Sequence, residues 1–291
     1  MEKRKHIYAV INILVLAASL VCFYFSYAGS IQAIRTLPSA YFFLLPVIVF
    51  FVHSIKAMRM YLILYGTGNL SFPEHLKIYC KTAMVSMLLP YKMGDLFRMY
   101  CYTEYMDSGI RSIIVVLLDR FMDTLALITV IVLTSMAVGL AYFGPLLLIL
   151  LVFVFCIIAA YLLFPGFSSF WNLFLLKARA TPNTIKTLRL ISRCKSIYRE
   201  VSGITRGRGV MLYILSLIAW IIEIGGVVFF SRSAGADPAN TLLPNYLMAA
   251  LGRSESTELN GFVIFSCALL ILVYAGIKLA EQLKWKRMEK A

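Results

Sequence analysis

Charge is scarce in this chain, and negative charge is scarcer than positive charge. Charged residues make up 14% of the 291 residues, and 14 Asp and Glu stand against 28 Lys and Arg. An average soluble domain carries about 25% charged residues. Here 61% of the residues are hydrophobic and the mean hydropathy is +0.83. The composition therefore excludes an ordinary soluble globule and predicts an all-α integral membrane protein that crosses the bilayer several times.

The residue types that build metal and redox sites are also few. The six cysteines include no Cys-x-x-Cys pair, and the three histidines, His6, His53 and His75, lack the spacing of a metal motif. We therefore expect no metal, no cofactor and no disulfide framework, and we assign no catalytic residue. His53 is better explained as a satisfied interior histidine than as a proton relay.

Positive charge is the exception to this scarcity, and its placement indicates the partner. The formal net charge is +14, and most Lys and Arg residues lie in short segments beside apolar runs. That is the positive-inside pattern of membrane proteins. A basic inner face attracts anionic headgroups by about 1 kcal/mol per well-placed Lys or Arg. The charge placement therefore predicts the membrane and its anionic phospholipid headgroups as partners, with no nucleic acid.

Long apolar runs predict about six membrane-spanning helices, since about 20 apolar residues are needed to cross. The runs lie at residues 7–27, 41–65, 113–139, 146–164, 210–232 and 261–279. Pro165 is expected to end the fourth helix. Residues 166–209 are predicted to form a basic cytoplasmic loop, in which Leu188, Ile191, Lys195 and Tyr198 recur at amphipathic-helix spacing. Both termini are expected in the cytoplasm, and residues 1–291 in one polytopic domain.

A shorter stretch, near residues 75–98, is interrupted by Lys and Pro and does not suffice for a full crossing. It predicts a re-entrant hairpin that turns between Pro90 and Gly94. Irregular backbone at membrane depth is tolerated only where protein buries it or water reaches it. The hairpin therefore implies an internal cavity.

Six charged residues lie beside or inside these apolar segments, where an unpaired charge costs from about 2.5 to more than 10 kcal/mol. They are Lys92, Asp95, Arg98, Asp119, Arg120 and Asp123. Two hypotheses stay open. In the first, the three basic residues line a site for an anionic headgroup and the three acids orient them. In the second, all six form a structural salt-bridge network that fastens the hairpin to the next helix.

Glu223 is an isolated acid in the middle of the run 210–232. One hypothesis is a carboxylate that exchanges a proton or contacts substrate, and the other is a neutral Glu that packs between helices. Trp220 is one helical turn away, and packing is the simpler interpretation of its role. The Gly225-Gly226 pair is expected to permit close approach of another helix.

The two charged motifs resemble those of a known family. Pro90-Tyr-Lys-Met-Gly-Asp-Leu-Phe-Arg98, followed about twenty residues later by Asp119-Arg-Phe-Met-Asp123, is similar to a pattern in the flippase-like transmembrane domain of lysylphosphatidylglycerol synthases. That pattern reads Pro-x-(Arg/Gly)-x-Gly-(Glu/Asp)-x-x-Arg and then (Glu/Asp)-Arg-x-x-Asp. Ala219-Trp-Ile-Ile-Glu223 is similar as well, and the likeness runs from about residue 10 to residue 230. The resemblance implies a lipid-translocating domain.

The chain departs from that family in two places. The family often carries a second hairpin with the motif Pro-Gly-Gly-x-Gly-x-x-Glu, whereas residues 242–260 hold only a degraded version in Leu243-Pro-Asn-Tyr246 and Gly252-Arg-Ser-Glu255. Only a basic tail follows the last apolar run, with no soluble synthase domain. Aminoacyl transfer from tRNA therefore has no place to occur, although the resemblance invites that label, and the enzyme question stays open.

The sequence leads to a prediction and two alternatives. The prediction is a multi-pass protein of a bacterial or archaeal cell membrane that binds and translocates an anionic phospholipid or lipid-linked glycan. The first alternative is a non-transporting accessory or scaffold subunit for envelope-biosynthesis or lipid-modifying enzymes. The second is a lipid enzyme of the phosphatidylglycerol lysyltransferase type, with Asp119 or Asp123 as the base. The sequence does not indicate an oligomeric state.

Overall fold

A computed structural model describes most of the chain, and the described part is helical. The described residues are 2–35, 39–65, 70–89, 93–106, 108–138, 144–177, 181–233, 246–247 and 257–288. Nine long helices occur within these ranges: α1 Glu2–Arg35, α2 Ser39–Leu64, α3 Phe72–Leu88, α4 Met93–Thr103, α5 Gly109–Val138, α6 Gly144–Lys177, α7 Pro182–Thr205, α8 Gly209–Ser233 and α9 Thr257–Met288. No strand is present in these ranges. The predicted all-α class is confirmed.

Five of the described helices are long and apolar enough to cross a membrane. The qualifying segments are Val10–Tyr27, Phe43–Leu64, Leu147–Lys177, Gly209–Phe229 and Leu259–Leu283. The remaining predicted span, 113–139, coincides with α5, which carries Asp119, Arg120 and Asp123 near its middle. The chain is an all-α membrane protein, while the number of crossings and the side of each terminus stay predictions.

The contacts of the chain group into two compact units. The first comprises Met1–Ser112 and Ile218–Ala291, and the second comprises Ile113–Leu217. In the first unit α9 packs against α1, α2 and α3, and α3 also packs against α4. Lipid tails are as apolar as Leu, so this packing is stabilised by close van der Waals contact more than by exclusion of water. The single domain predicted for residues 1–291 stays a prediction.

The predicted hairpin near residues 75–98 is present as two antiparallel helices, α3 and α4. The backbone of Gly94 lies against that of Ser86, and His75 near the start of α3 contacts Tyr102 near the end of α4. These pairings run in opposite directions along the two helices, which defines an antiparallel pair. The turn, including Pro90 and Lys92, lies outside the described residues. Insertion of this hairpin into the membrane stays a prediction.

In the second unit, α6 does not end where the sequence predicted. The helix continues through Pro165 to Lys177. Proline removes one backbone hydrogen bond, but apolar helices of membrane proteins tolerate that loss because neighbouring groups adjust to satisfy the freed carbonyl. The prediction that Pro165 ends the helix is therefore wrong. Most described residues of the segment 166–209 are helical, and its place in the cytoplasm stays a prediction.

The amphipathic helix predicted in that segment corresponds to α7, which packs back against α6. The Tyr198 ring lies 5.1 Å from the Tyr161 ring and 5.3 Å from the Phe164 ring, measured between centroids. Ile191 is buried on the same side. The apolar stripe of α7 is therefore used, at least in part, for packing within the protein. Its contact with the inner leaflet stays a prediction.

Candidate functional site

The hairpin begins at a capping box that the sequence motif Ser71-Phe-Pro-Glu74 encodes. The backbone N–H of Ser71 donates to Glu74 Oε2 at 3.0 Å, and the Ser71 hydroxyl donates to the same oxygen. These hydrogen bonds favour the charged carboxylate, so they lower the pKa of Glu74 below its ordinary value of 4.5, with a smaller contribution from Lys77. Pro73 stands in the first turn, where its missing N–H costs nothing. Together these residues fix the entry into α3.

A buried histidine ties the hairpin to α2. His75 is fully buried, with Nε2 3.0 Å from the carbonyl oxygen of Ala57 and Nδ1 3.4 Å from the hydroxyl of Tyr102. Since a carbonyl oxygen only accepts, Nε2 carries a proton and donates to it, and in the neutral ring Nδ1 accepts from Tyr102. The two rings stack with centroids 6.2 Å apart. One side chain thus holds three helices in register.

The opposite end of the hairpin is fixed by Gly94. A Cβ atom at this position would lie 2.2 Å from Ser86 Cα, so only glycine permits the observed approach of the two backbones. The contact places Asp95 beside Ser86, whose hydroxyl donates to Asp95 Oδ1 at 3.3 Å. Gly94 therefore determines where the charged residues of α4 lie.

Arg98 follows Asp95 by one turn on the same face of α4. Its exposed fraction is 5%, and that of Asp95 is 9%. The structure thus brings two of the predicted site residues together in a buried position. Pro90 and Lys92 fall outside the described residues, so their part in the site stays a prediction.

The other three predicted residues lie on α5, in the second unit. Asp119 is buried with an exposed fraction of 1%, whereas Arg120 and Asp123 are half-buried. Asp119 and Asp123 share one face of the helix because they are four residues apart. A contact between Thr129 and the hydroxyl of Tyr213, at 2.8 Å, joins α5 to α8. The meeting of these acids with Arg98 stays a prediction.

Glu223 has partners that the sequence did not indicate. Lys56 Nζ lies 3.3 Å from Glu223 Oε2, and the hydroxyl of Tyr246 donates to Glu223 Oε1 at 2.7 Å. Glu223 has an exposed fraction of 5%. The ammonium group of Lys56 therefore turns toward this buried carboxylate.

Two neighbours of Glu223 complete this cluster. The ammonium of Lys56 lies 5.5 Å from the centroid of the Trp220 ring, a distance that allows a cation–π contact. Gly226 lies so close to α2 that an added Cβ would stand 2.5 Å from Ile48 Cδ1. The close helix approach expected for the glycine pair is therefore present at Gly226, whereas Gly225 faces open space.

Comparison with known families assigns the chain. A family model described as the lysylphosphatidylglycerol synthase TM region matches residues 10–252, which is most of the sequence. The chain belongs to the lysylphosphatidylglycerol synthase transmembrane-region family. No curated protein and no solved structure matches it. Membership in this family indicates a multi-pass membrane protein with a lipid-related function.

The family match ends before the last helix of the structure. The match covers helices α2 to α8 and most of α1, whereas α9 begins at Thr257, beyond its last residue. In the structure α9 packs against three helices that lie within the match. Helix α9 is thus an integral part of the first unit of this family member.

Sequence reasoning missed two residues of the site and one structural signal. Lys56 and Tyr246 complete the Glu223 cluster, yet they are 167 and 23 residues from it along the chain. No local pattern indicates such contacts. The capping box at Ser71 and Glu74 was readable, because Ser-x-x-Glu before an apolar run is a helix-start signature.

Proposed function

We propose that this family member binds an anionic phospholipid or a lipid-linked glycan through Arg98 and passes it across the membrane. The observation that carries the proposal is the burial of Arg98, at 5% exposed, one turn from Asp95 in a membrane protein. Ionised groups at such positions are rare and usually mark a substrate path. A guanidinium group engages phosphate oxygens with two parallel hydrogen bonds.

The rigidity of the hairpin supports this role. Contacts at both ends of α3, from His75 to Tyr102 and at the Gly94–Ser86 approach, fasten α4 to α3. A binding group held in place loses less conformational freedom when its ligand arrives. Arg98 would therefore meet a headgroup in a geometry that is already set.

The remaining predicted residues complete the proposed path. Lys92 and Arg120 would add positive charge for the phosphate, while Asp119 and Asp123 would orient the basic side chains. These roles are part of the proposal.

Glu223 has a different proposed role, because little space adjoins it. The cavity beside Glu223 and Tyr246 measures about 10 Å³, close to the minimum for one water molecule. A headgroup does not fit there. We assign Glu223 to gating or proton exchange, through breakage of its ion pair with Lys56.

The test is lipid translocation in proteoliposomes that contain a fluorescent phosphatidylglycerol. Arg98→Ala should reduce the rate to that of protein-free vesicles, because the phosphate loses its partner. Leu96→Ala is the matched control, since Leu96 lies on the same helix with an exposed fraction of 59%. Both variants are first checked for a monodisperse elution profile and native helix content. Translocation by Arg98→Ala at the wild-type rate would refute the assignment.

One observation favours the scaffold alternative, namely the exposed positive charge of α7. The exposed basic residues on this helix are Lys186, Arg189, Arg193, Lys195 and Arg199. Such a surface suits an acidic partner protein. Under this alternative, purified wild-type protein moves no lipid. Replacement of the five residues by Gln then impairs envelope function in cells while leaving the protein folded and in the membrane.

A further inference from the structure

The first unit contains a cavity of about 700 Å³ between α1, α3 and α9. Its size falls within the range of about 300–1,000 Å³ that is typical of ligand sites. Asn12, Lys81 and Tyr274 line one end, and Phe23, Leu88 and Ile264 line the other. This cavity does not include any of the charged residues discussed above.

Polar groups are concentrated at one end of this cavity. Lys81 Nζ donates to Asn12 Oδ1 at 2.6 Å and lies 5.2 Å from the centroid of the Phe97 ring. Further along, the Ser19 hydroxyl donates a hydrogen bond to a backbone carbonyl oxygen of its own helix at 2.8 Å. The cavity is therefore an apolar groove with a cationic end.

The dimensions of the groove match those of a single lipid tail. From Asn12 to Phe23 it extends about 16 Å along α1, at about 1.5 Å per residue. The hydrocarbon core of a bilayer is about 30 Å thick, so one leaflet supplies about 15 Å of tail. Ile13, Leu16 and Leu20 line the groove and are still exposed. A tail can therefore enter sideways from one leaflet.

The polar end suits a phosphate group. A Lys ammonium binds phosphate as a point charge, and within the described part of the chain Lys81 forms no ion pair with a carboxylate. Asn12 accepts from Lys81 through its amide oxygen, while its amide NH₂ offers donors to a second acceptor. One anionic headgroup with one tail would use both ends of the groove.

We propose that the groove holds one acyl chain of an anionic phospholipid whose phosphate contacts Lys81 and Asn12. The inference rests on the proposed function and deepens it, since it adds a docking position for the lipid. Lys81 contacts Phe97, the residue next to Arg98. A lipid held in the groove therefore lies beside the helix that carries the proposed translocation residue.

The test is native mass spectrometry of delipidated full-length protein reloaded with phosphatidylglycerol or phosphatidylcholine. Wild-type protein should retain phosphatidylglycerol about fivefold more than phosphatidylcholine, because the contribution of one Lys at the headgroup is about 1 kcal/mol. Lys81→Gln should abolish that preference, and Lys81→Arg should keep it. Equal retention of both lipids by the wild type, or retention of detergent only, would overturn the proposal.

A second pair of variants tests the tail position. Ala268 lines the groove, so Ala268→Phe should fill it and reduce retention of both lipids. Ala160→Phe, on an exposed site of α6, is the matched control and should retain lipid as the wild type does. Wild-type retention by a folded Ala268→Phe variant would place the lipid elsewhere.

Failure of this inference and failure of the proposed function give different results. If Lys81→Gln retains lipid normally while Arg98→Ala abolishes translocation, the groove is wrong and the function stands. If Arg98→Ala translocates normally while Lys81→Gln loses its lipid preference, the groove stands and the role of Arg98 is wrong.

Discussion

Lys56 and Glu223 form an ion pair with 3.3 Å between Nζ and Oε2, although 167 residues separate them in the chain. The pair joins α2 to α8 inside the first unit. Tyr246 donates to the other carboxylate oxygen at 2.7 Å, so both oxygens of Glu223 have a partner. Glu223 therefore has, in its buried position, the partners that a buried charge requires.

Removal of Glu223 should destabilise the protein. Glu223→Ala leaves both the ammonium and the Tyr246 hydroxyl without their partner. Loss of one member of a fully buried pair costs about 3–5 kcal/mol. Lys56 has 21% of its side chain exposed, so we expect Glu223→Ala to lower the free energy of unfolding by about 1–3 kcal/mol. Thermal unfolding of the variant and the wild type in detergent measures this loss.

A double-mutant cycle isolates the contact. Lys56→Met combined with Glu223→Gln should be less destabilising than the sum of the two single changes, because the interaction is lost only once. Additive effects would show that the two groups do not interact in the folded protein.

The loss of stability in each Gly→Ala variant should depend on which atoms the added Cβ meets. Gly94→Ala should be the worst, since its Cβ would lie 2.2 Å from the backbone of Ser86. Gly226→Ala meets the flexible end of Ile48 at 2.5 Å and should cost less. Overpacking typically costs about 1–3 kcal/mol. Unfolding midpoints of purified variants give the ranking.

Gly225→Ala is the matched control for this series. No atom lies within 4 Å of its added Cβ, and alanine favours the helix by up to about 1 kcal/mol. It should unfold at or above the wild-type temperature. A Gly94→Ala variant as stable as Gly225→Ala would mean that α3 and α4 do not approach as described.

The capping box at the start of α3 should make a small part of the stability depend on pH. Hydrogen bonds from Ser71 lower the pKa of Glu74 in the folded protein. Its contribution is therefore complete above the ordinary value of 4.5 and is lost as the pH falls through the lowered pKa. Because Glu74 is exposed, we expect its carboxylate to contribute about 0.5 kcal/mol to the free energy of unfolding.

The measurement compares wild-type protein with Glu74→Gln across this pH range. The difference between their unfolding midpoints should be constant near neutral pH and shrink toward zero in acid. A difference that does not change with pH would show that the carboxylate charge contributes nothing to the cap.

The sequence predicted the helical class and the hairpin because both depend on local composition. Apolar run length identifies helices that cross a membrane, and the short, interrupted stretch near Pro90 indicated a turn. The end of α6 was predicted wrongly at Pro165, since the local rule for proline does not include compensation by surrounding groups.

The candidate site was predictable in part. Charge in apolar surroundings identified Asp95, Arg98, Asp119 and Glu223, and all four are buried. Lys56 could not be identified as the partner of Glu223, because their contact depends on how α2 and α8 pack. Long-range pairing of this kind is set by tertiary structure and leaves no periodic signal in one sequence.

The central claim is that the protein moves anionic lipid, and wild-type proteoliposomes test it most directly. Fluorescent phosphatidylglycerol and phosphatidylcholine are placed in matched vesicles, and the rate at which each becomes accessible to an external quencher is measured. The account predicts faster movement of phosphatidylglycerol than of phosphatidylcholine, and faster than in protein-free vesicles. Rates equal to those of protein-free vesicles for both lipids would contradict it.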